Sequence, residues 1–269
     1  EYRKKIEEIV KREKVDFLVP VASPSAVYFD ARLKGHLSPA VSVFHFDGGT
    51  LSMLDDKFRM CQAARRIGLS APEADLITSS GELDSLELLR SGKKYILKSV
   101  VYDPVERLNR PLLPFSGFKE YVEDLQISKN RPWVLQEYIE GEEFCTHSVV
   151  HKGRIVLHCC CHSSDFQLRY RHVEKPEIRE WIKKFVDQYK LSGQISFDFI
   201  IKADGTVMPI ECNPRTHSAI TCFYNSSRVA ASYFDDSEST DQKLVNQPEP
   251  TARETYWLYH ELWALLCSR

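Results

Sequence analysis

The stretch from Phe197 to His217 places the strongest constraint on how this chain can fold. It predicts two strands, Phe197–Ile201 and Val207–Cys212, which are joined by a short turn containing Asp and Gly. Asp198 interrupts the apolar run near the beginning of the first strand, and Glu211 lies near the end of the second. An antiparallel hairpin brings these two ends together, so we expect the two carboxylates to lie close to each other.

Oxygen-bearing side chains are concentrated at this end of the hairpin. Glu211 and Asn213 point to the same side, because strand side chains alternate with a period of two. With Asp198 they place two carboxylates and an amide oxygen beside Arg215. Mg²⁺ prefers oxygen ligands and takes few of them from the protein, so the pattern predicts a magnesium site. The alternative interpretation is a hairpin with surface acids that a proline terminates.

Composition limits the classes of function. The chain has 269 residues, of which 43% are hydrophobic, and a formal net charge of −2. These values predict one or two globular domains and no basic surface for nucleic acid. No apolar run reaches membrane-spanning length and there is no secretory signal, so we expect a cytoplasmic protein without a membrane partner. Because the chain opens on a charged, helix-like segment and not on Met, we expect a fragment whose first strand is missing.

A run of three cysteines allows two interpretations. Cys159, Cys160 and Cys161 are consecutive, and His158 and His162 flank them. A metal site is disfavoured, because adjacent strand residues point to opposite faces and zinc sites favour a two-residue spacer. The favoured interpretation is a set of buried strand thiols in a reducing compartment.

The first third of the chain alternates between helix and strand. Val15–Val21 and Val41–Phe46 are predicted as buried strands, with a helix over Ala26–Leu33 between them. This order predicts a parallel βα layer with a crevice at the strand ends.

The next helix is predicted from Leu54 to Ile67. Either Asp55 or Asp56 can cap its first amides. Lys57, in its first turn, is either a phosphate contact or a solvated lysine.

A second lysine lies inside a predicted strand. Lys98 is part of Tyr95–Ser99, and a lysine among apolar strand residues needs an anion or an acid as its partner. Nucleotide phosphate would serve, and so would a surface position on an edge strand. The following segment, Tyr102–Phe115, has no periodicity and contains Arg107 and Arg110 between prolines. Long loops of this kind are often lids.

Consecutive strands then indicate a second, antiparallel sheet. They are predicted at Trp133–Ile139, Glu142–Val150 and Ile155–Cys161. The helix predicted over Pro176–Tyr189 has an apolar face that belongs to the core. A final amphipathic helix over Glu254–Leu266 is expected to pack on the body of the protein.

An ordered set of motifs runs through the chain. They are Asp56-Lys57, Lys98, Gln136-Glu137-Tyr138-Ile139-x-Gly141-x-Glu143, Asp198 and Glu211-x-Asn213-x-Arg215. In this order they resemble the ATP-grasp superfamily of carboxylate–amine ligases. The resemblance covers the chain from about Val15 onward. It implies an α/β ATP-grasp fold that holds a nucleotide between two lobes. The expected domains are a partial N-terminal βα domain at 1–54, a small lobe at 55–139 and a large lobe at 140–269. The large lobe would carry the metal site and the C-terminal packing helix.

The resemblance also implies how the cofactors, ATP and Mg²⁺, are bound. Lys57 and Lys98 would hold the ATP phosphates, and Glu143 would accept hydrogen bonds from the ribose hydroxyls. The strand between the lobes would bind the adenine edge through its backbone. Its residues are Gln136, Glu137, Tyr138 and Ile139.

The metal and the transferring phosphoryl group would be held by the organising hairpin. By resemblance, Asp198, Glu211 and Asn213 would bind Mg²⁺, and Arg215, together with Lys98, would stabilise the phosphoryl group. His217 is either a base or acceptor-binding donor, or a structural histidine. Many relatives carry a glycine- and serine-rich flap, which a loop rich in Pro and Arg replaces here.

Four segments resemble one branch more narrowly, namely the ligases of mycosporine-like amino acid biosynthesis that join glycine to 4-deoxygadusol. They are Leu54–Phe58, Tyr95–Ser99, Gly193–Ile200 and Ile210–Thr221. The resemblance implies that an enol or acid oxygen is phosphorylated and that an amino acid then displaces phosphate. The partners would be a small-molecule acceptor and glycine, and a homodimer stays open. The alternatives are a ligase for another acid and amino acid, and a nucleotide-binding module without turnover.

Overall fold

Apolar segments near the N-terminus pair in a small parallel layer. In the computed structural model, β1 (Phe17–Leu18) runs parallel to β2 (Ser42–Val43), and α1 (Tyr2–Glu13) and α2 (Val27–Leu37) pack beside them. The structure describes residues 1–21, 26–37, 39–85, 92–100, 110–163, 169–234 and 245–256. The predicted parallel βα layer is confirmed. Its strands are shorter than predicted, and Pro20, which has no N–H to donate, follows the end of β1.

Two helices lie where the pattern predicts one. α3 (Gly48–Asp55) begins after Asp47, whose carboxylate accepts two backbone N–H groups at 2.9 Å. α4 (Lys57–Arg66) begins after Asp56, whose carboxylate caps it in the same way at 2.9 and 3.0 Å. The predicted helix start at Leu54 is therefore wrong, because the extended backbone of Asp56 ends one helix before it caps the next.

A three-stranded antiparallel sheet forms the small lobe. Its order is β3 (Ala74–Ile77), β5 (Trp133–Glu137) and β4 (Tyr95–Ser99). The short helices α5 (Ser80–Ser85) and α6 (Phe118–Asp124) complete this lobe. One face of the sheet packs into an apolar cluster that includes Ile77, Leu97, Val122, Trp133 and Leu135.

A four-stranded antiparallel sheet forms the large lobe, in the order β10, β9, β6, β7. Its strands are β6 (Glu142–His151), β7 (Arg154–His162), β9 (Gly193–Ile201) and β10 (Val207–Asn213). The predicted hairpin of β9 and β10 is confirmed. The amphipathic helix α7 (Pro176–Gln188) covers one face, where Trp181 contacts Phe197 and Phe199 edge-on.

The opposite face of this sheet carries four of the thiols. Cys145, Cys159, Cys161 and Cys222 share one apolar cluster there, whereas Cys160 points to the α7 side. All of these thiols are free and buried, so the interpretation as buried strand thiols is confirmed. The cluster is closed by a 3₁₀-helix over Ser218–Phe223 and by α8 (Val229–Phe234).

The C-terminal part differs from its prediction. β8 (Arg169–Tyr170) and β11 (Thr255–Tyr256) form an antiparallel pair, so the predicted packing helix does not begin at Glu254. Thr255 pairs with Tyr170, which lies 85 positions earlier in the chain. Periodicity within the C-terminal segment cannot predict so distant a partner. The rest of that predicted helix, and residues 102–109 of the predicted lid, lie outside the described residues. No helix in the described part of the chain has the length and hydrophobicity needed to cross a membrane.

Candidate functional site between the two sheets

A one-residue bulge brings the two predicted metal-binding acids together. Pro209 of β10 pairs with Phe199 of β9, and the next pair is Glu211 with Asp198. Ile210 is the extra residue between them. Without this bulge Glu211 would face Phe197 and its side chain would lie on the α7 side of the sheet. The bulge therefore turns Glu211 to the face that carries Asp198.

Asn213 completes this group on the same face. Its Nδ2 donates to Oδ2 of Asp198 at 3.4 Å, and its Oδ1 accepts from Nη2 of Arg215 at 2.9 Å. Arg215 also donates to the backbone carbonyl of Thr216 at 3.2 Å. The structure thus brings together the three predicted metal ligands and the predicted catalytic arginine.

Two lysines reach the same group from other elements. Nζ of Lys57, at the beginning of α4, lies 3.5 Å from Oε1 of Glu211. Lys98 of β4 donates to the carbonyl of Ile210 at 3.3 Å, and Gln136 of β5 donates to the same carbonyl at 3.3 Å. The predicted need of Lys98 for an anion is met in part by Glu211, whose charge acts on the buried ammonium.

The electrostatics of the site reflect this crowding. Burial, followed by the charges of Glu211 and Glu143, raises the pKa of Asp198 to about 7. Burial would also raise the pKa of Glu211, but the cations Lys57, Lys98 and Arg110 outweigh it, so this pKa is lowered.

Burial and the neighbouring cations lower the pKa of Lys98 to about 8. Arg110 belongs to the part of the predicted lid that the structure describes. Its positive charge acts on both Lys98 and Glu211, so it lies close enough to influence the site.

The predicted adenine-binding strand joins the two lobes. The backbone N–H groups of Glu137 and Tyr138 donate to the carbonyls of Glu73 and Lys94, both at 2.8 Å. These two amides are engaged within the small lobe, so an adenine ring would have to use other groups of the strand. Ile139 is buried, whereas Tyr138 is 38% exposed.

The connection to the large lobe is tight. A Cβ on Gly141 would lie 2.2 Å from the backbone oxygen of Ile201, so only glycine fits this crossing. Glu143, the predicted ribose ligand, is the second residue of β6 and accepts a hydrogen bond from Oγ of Ser163 at 3.1 Å.

His217 has a structural task in this arrangement. Its Nδ1 accepts the N–H of Ala219 at 3.2 Å and so caps the 3₁₀-helix, and its ring packs edge-on against Tyr170. Burial and the charge of Arg215 lower its pKa to about 4, which keeps the ring neutral at pH 7. The predicted role as a base stays a prediction.

Sequence reasoning did not include Asp55 and Tyr28 among the candidate site residues, but the structure places Asp55 within electrostatic reach of them. Tyr28 of α2 donates its hydroxyl to Oδ2 of Asp55 at 3.0 Å, and the charges of Lys57, Glu211 and Arg215 act on this carboxylate. Burial raises the pKa of Asp55. One signal was available: of two adjacent aspartates, only one can cap α4, which leaves the other for a different task.

The donor set fits a magnesium ion. Burial, followed by the charge of Glu211, raises the pKa of Asp198, and a divalent cation between the two carboxylates would offset both effects. In the part of the chain that the structure describes, no group of three or more His, Cys, Asp and Glu side chains is arranged to hold a metal. The candidate set instead has two acids and one amide, and Mg²⁺ completes its shell with water and phosphate oxygens.

Comparisons with known proteins agree with this architecture. A family model described as an ATP-grasp domain matches residues 54–219. No curated protein sequence matches the chain.

Three solved structures with related folds illustrate the similarity. The L-amino acid ligase from Bacillus licheniformis is 16% identical with a TM-score of 0.60, and the match covers 82% of this chain and 56% of that one. The biotin carboxylase–βγ-ATP complex from Campylobacter jejuni is 12% identical with a TM-score of 0.65, covering 81% and 53%. The ADP-complexed N5-carboxyaminoimidazole synthetase from Staphylococcus aureus is 13% identical with a TM-score of 0.56, covering 72% and 53%.

The chain thus spans little more than half the length of these structures, and at such identities they show the fold alone. The family model matches well over half of the 269 residues. The chain therefore belongs to the ATP-grasp domain family, and it has the ATP-grasp fold that its sequence motifs predict.

Proposed function

We propose that this chain carries the nucleotide and metal site of an ATP- and Mg²⁺-dependent ligase that forms a carbon–nitrogen bond and releases ADP. The observation that carries the proposal is the pairing of Asp198 with Glu211 beside Lys57, Lys98 and Arg215. Phosphoryl transfer depends on positioning and charge neutralisation. The two acids would bind the metal and the surrounding cations would bind the phosphates, and together they would supply both requirements. The names of the similar structures, which include an amino acid ligase and nucleotide complexes, agree with this class.

Asp198 and Glu211 would hold the metal. Bound Mg²⁺ would offset part of the negative charge of the phosphate oxygens and of the two carboxylates. Asn213 would become a ligand only if its amide oxygen turned toward Asp198. That turn would remove the acceptor that Arg215 uses at 2.9 Å and would leave the guanidinium free for the transferring phosphoryl group.

The nucleotide would lie between the two sheets. Lys57 and Lys98 would hold its phosphates, Gln136–Ile139 would face the adenine, and Glu143 would bind the ribose. We further propose the division into an N-terminal layer at 1–54, a small lobe at 55–139 and a large lobe at 140–269. The steric requirement for Gly141 supports a lobe crossing close to the second boundary.

The chemistry would proceed in two transfers. An acceptor oxygen attacks the γ-phosphorus of ATP and ADP leaves. The nitrogen of an amine then attacks the carbon that bears the new phosphate, phosphate leaves with the bonding electrons, and the nitrogen loses a proton. Water has to be excluded, because it would hydrolyse the phosphorylated acceptor. Arg110, which acts on Glu211 from the predicted lid, is our candidate for a residue of the cover.

Our specific hypothesis is that the acceptor is 4-deoxygadusol and the amine is glycine, with mycosporine-glycine as the product. Its support is the resemblance of Gly193–Ile200 and Ile210–Thr221 to that branch. A ligase for another acid and amino acid is the second candidate, and the amino acid ligase among the similar structures favours it. A nucleotide-binding module without turnover is the third, and it has little need for both metal-binding acids.

The expected partners are small molecules, with no nucleic acid and no membrane, and a homodimer remains a prediction. The free, buried thiols are compatible with a reducing, cytoplasmic setting.

The test is a reaction of the purified protein with MgATP, 4-deoxygadusol and glycine, followed by ADP assay and mass spectrometry. Formation of mycosporine-glycine with one ADP per product supports the specific hypothesis. ADP formation only with other acids and amino acids supports the second candidate. ATP binding without ADP formation from any pair supports the third.

A further inference from the structure

One carboxylate beside the phosphate-binding cations belongs neither to the metal pair nor to a helix cap. Asp55 is the last residue of α3, and Oδ2 of its partly buried carboxylate accepts the Tyr28 hydroxyl at 3.0 Å. The charges of Lys57, Glu211 and Arg215 act on it, so it lies within electrostatic reach of the metal and phosphate groups.

The neighbouring cations are engaged with other partners. Lys57 pairs with Glu211 at 3.5 Å, and Arg215 donates to Asn213 at 2.9 Å. Among the residues that the structure describes, no ion pair includes Asp55. A carboxylate has about four acceptor positions, so Asp55 keeps capacity for a cation from outside the chain.

The other acids of the site already have tasks. Asp198 and Glu211 form the metal pair, Asp56 caps α4, and Glu143 accepts from Ser163. Asp55 is itself only partly buried, and the Tyr28 side chain that contacts it is 44% exposed.

A ligase site of this composition must also hold the charged group of its second substrate. An amino acid carries an ammonium group at neutral pH, whereas the cations Lys57, Lys98, Arg110 and Arg215 would have the phosphates as their partners. A carboxylate that the metal does not occupy would give the ammonium a partner of opposite charge.

We propose that Asp55 binds the ammonium group of the amino acid substrate, and that Tyr28 positions the Asp55 carboxylate for this contact. The inference rests on the proposed ligase function and names the group that receives its second substrate. Asp55 would touch the substrate, whereas Tyr28 would act through Asp55.

The test measures the binding of glycine and a panel of amino acids by NMR titration, with Mg²⁺ and a non-hydrolysable ATP analogue present. Asp55→Asn should weaken amino acid binding about 10- to 100-fold, because a hydrogen-bonded charge pair contributes about 1.5–3 kcal/mol. The affinity for the ATP analogue should stay within about twofold, because Asp55 is proposed to contact the amino acid and not the nucleotide. The loss of a charged contact with the nucleotide would weaken its binding by more than that. Asp75→Asn, which removes an exposed acid on β3, is the matched control and should change neither affinity.

Tyr28→Phe provides a second variant that keeps the charge. It should weaken amino acid binding by about two- to fivefold, because one neutral hydroxyl contact is lost. If Asp55→Asn does not fold, as judged by circular dichroism, this variant decides the question.

Three results would overturn the inference: amino acid binding that is unchanged in Asp55→Asn, equal losses for amino acid and nucleotide, or no amino acid binding by the wild-type protein. Failure of the ligase proposal shows separately, as absence of ADP formation by the wild-type protein from any pair of acceptor and amino acid. An Asp55-dependent amino acid site would stand even in that case.

Discussion

Lys98 donates a hydrogen bond at 3.3 Å to the carbonyl of Ile210, the residue that the bulge in β10 places outside the pairing with β9. Gln136 donates to the same carbonyl at 3.3 Å. The bulge therefore has two consequences. It turns Glu211 toward Asp198, and it offers a backbone acceptor to two side chains of the small lobe, so the proposed metal pair and the contact between the lobes depend on the same irregularity.

Replacing Glu211 by Gln tests the metal pair. We expect the fold to persist while Mg²⁺-dependent ADP formation falls at least ~100-fold, because a neutral amide binds a hard divalent ion poorly. Steady-state rates over a Mg²⁺ series measure the effect. Glu249→Gln, which breaks the exposed pair with Arg228, is the control and should leave the rates unchanged. Normal turnover in the Glu211 variant would show that the metal site lies elsewhere.

Lys98→Met separates function from stability. The folded protein holds this buried lysine with a pKa of about 8, below its ordinary value of 10.5. The charged form is therefore disfavoured by folding, by about 3 kcal/mol at neutral pH. Since the unfolded state binds more protons between these two values, the wild-type protein should gain stability as the pH rises from about 8 to about 10.5.

The Met variant should lose this rise and be about 1–3 kcal/mol more stable at pH 7, while ADP formation falls at least ~100-fold. Urea unfolding at several pH values and rate measurements test the two parts. Lys183→Met, on the exposed side of α7, should change neither quantity. A variant that is both less stable and fully active would contradict the role of Lys98.

Gly141→Ala tests the crossing between the lobes. A Cβ at this position would meet the backbone oxygen of Ile201 at 2.2 Å, and a backbone atom cannot move aside as a side chain can. We expect a loss of stability of about 1–3 kcal/mol, measured by urea unfolding. Gly48→Ala has open space around its new Cβ and should stay within about 0.5 kcal/mol of the wild type. Equal stabilities of the two variants would mean that the crossing relaxes easily.

His147→Leu tests a buried imidazole in the thiol layer. Within the described structure, neither ring nitrogen of His147 has a hydrogen-bond partner, and burial lowers its pKa from 6.5 to about 3. Between about pH 6.5 and pH 3 this histidine is therefore protonated in the unfolded state but neutral in the folded state. The stability of the folded protein falls as the pH drops below about 6.5.

Between pH 7 and pH 5 this histidine should cost about 2 kcal/mol, so the Leu variant should lose less stability over that range. At pH 7 we expect it to be as stable as the wild type or more so, because no buried polar group is left unpaired. Thermal unfolding across the pH series measures both effects. His162→Gln, at an exposed histidine at the end of β7, should keep the wild-type slope. A Leu variant with that same slope would show that another group causes the acid sensitivity.

Local patterns predicted a large part of this molecule. Strand periodicity placed β9 and β10, and the turn between them forms around Gly205, whose φ of 82° suits glycine. The helical apolar face of α7 and the buried state of the thiols were also predictable, since both follow from neighbours along the chain. Predictions failed where the partner is distant, as when Thr255 and Tyr256 pair with β8 instead of beginning a helix.

The sequence by itself determined which residue types meet at the end of the hairpin, because alternation along a strand is a property of consecutive residues. Only the tertiary structure decided that Ile210 bulges, that Lys98 is buried against it from 112 positions away, and that Asp56 caps α4 while Asp55 accepts the Tyr28 hydroxyl. A register shift of one residue reverses the face of every later side chain. The bulge that produces this shift is in contact with the small lobe and lies near the N-terminal layer. Both are distant along the chain, so no local sequence pattern could predict these contacts.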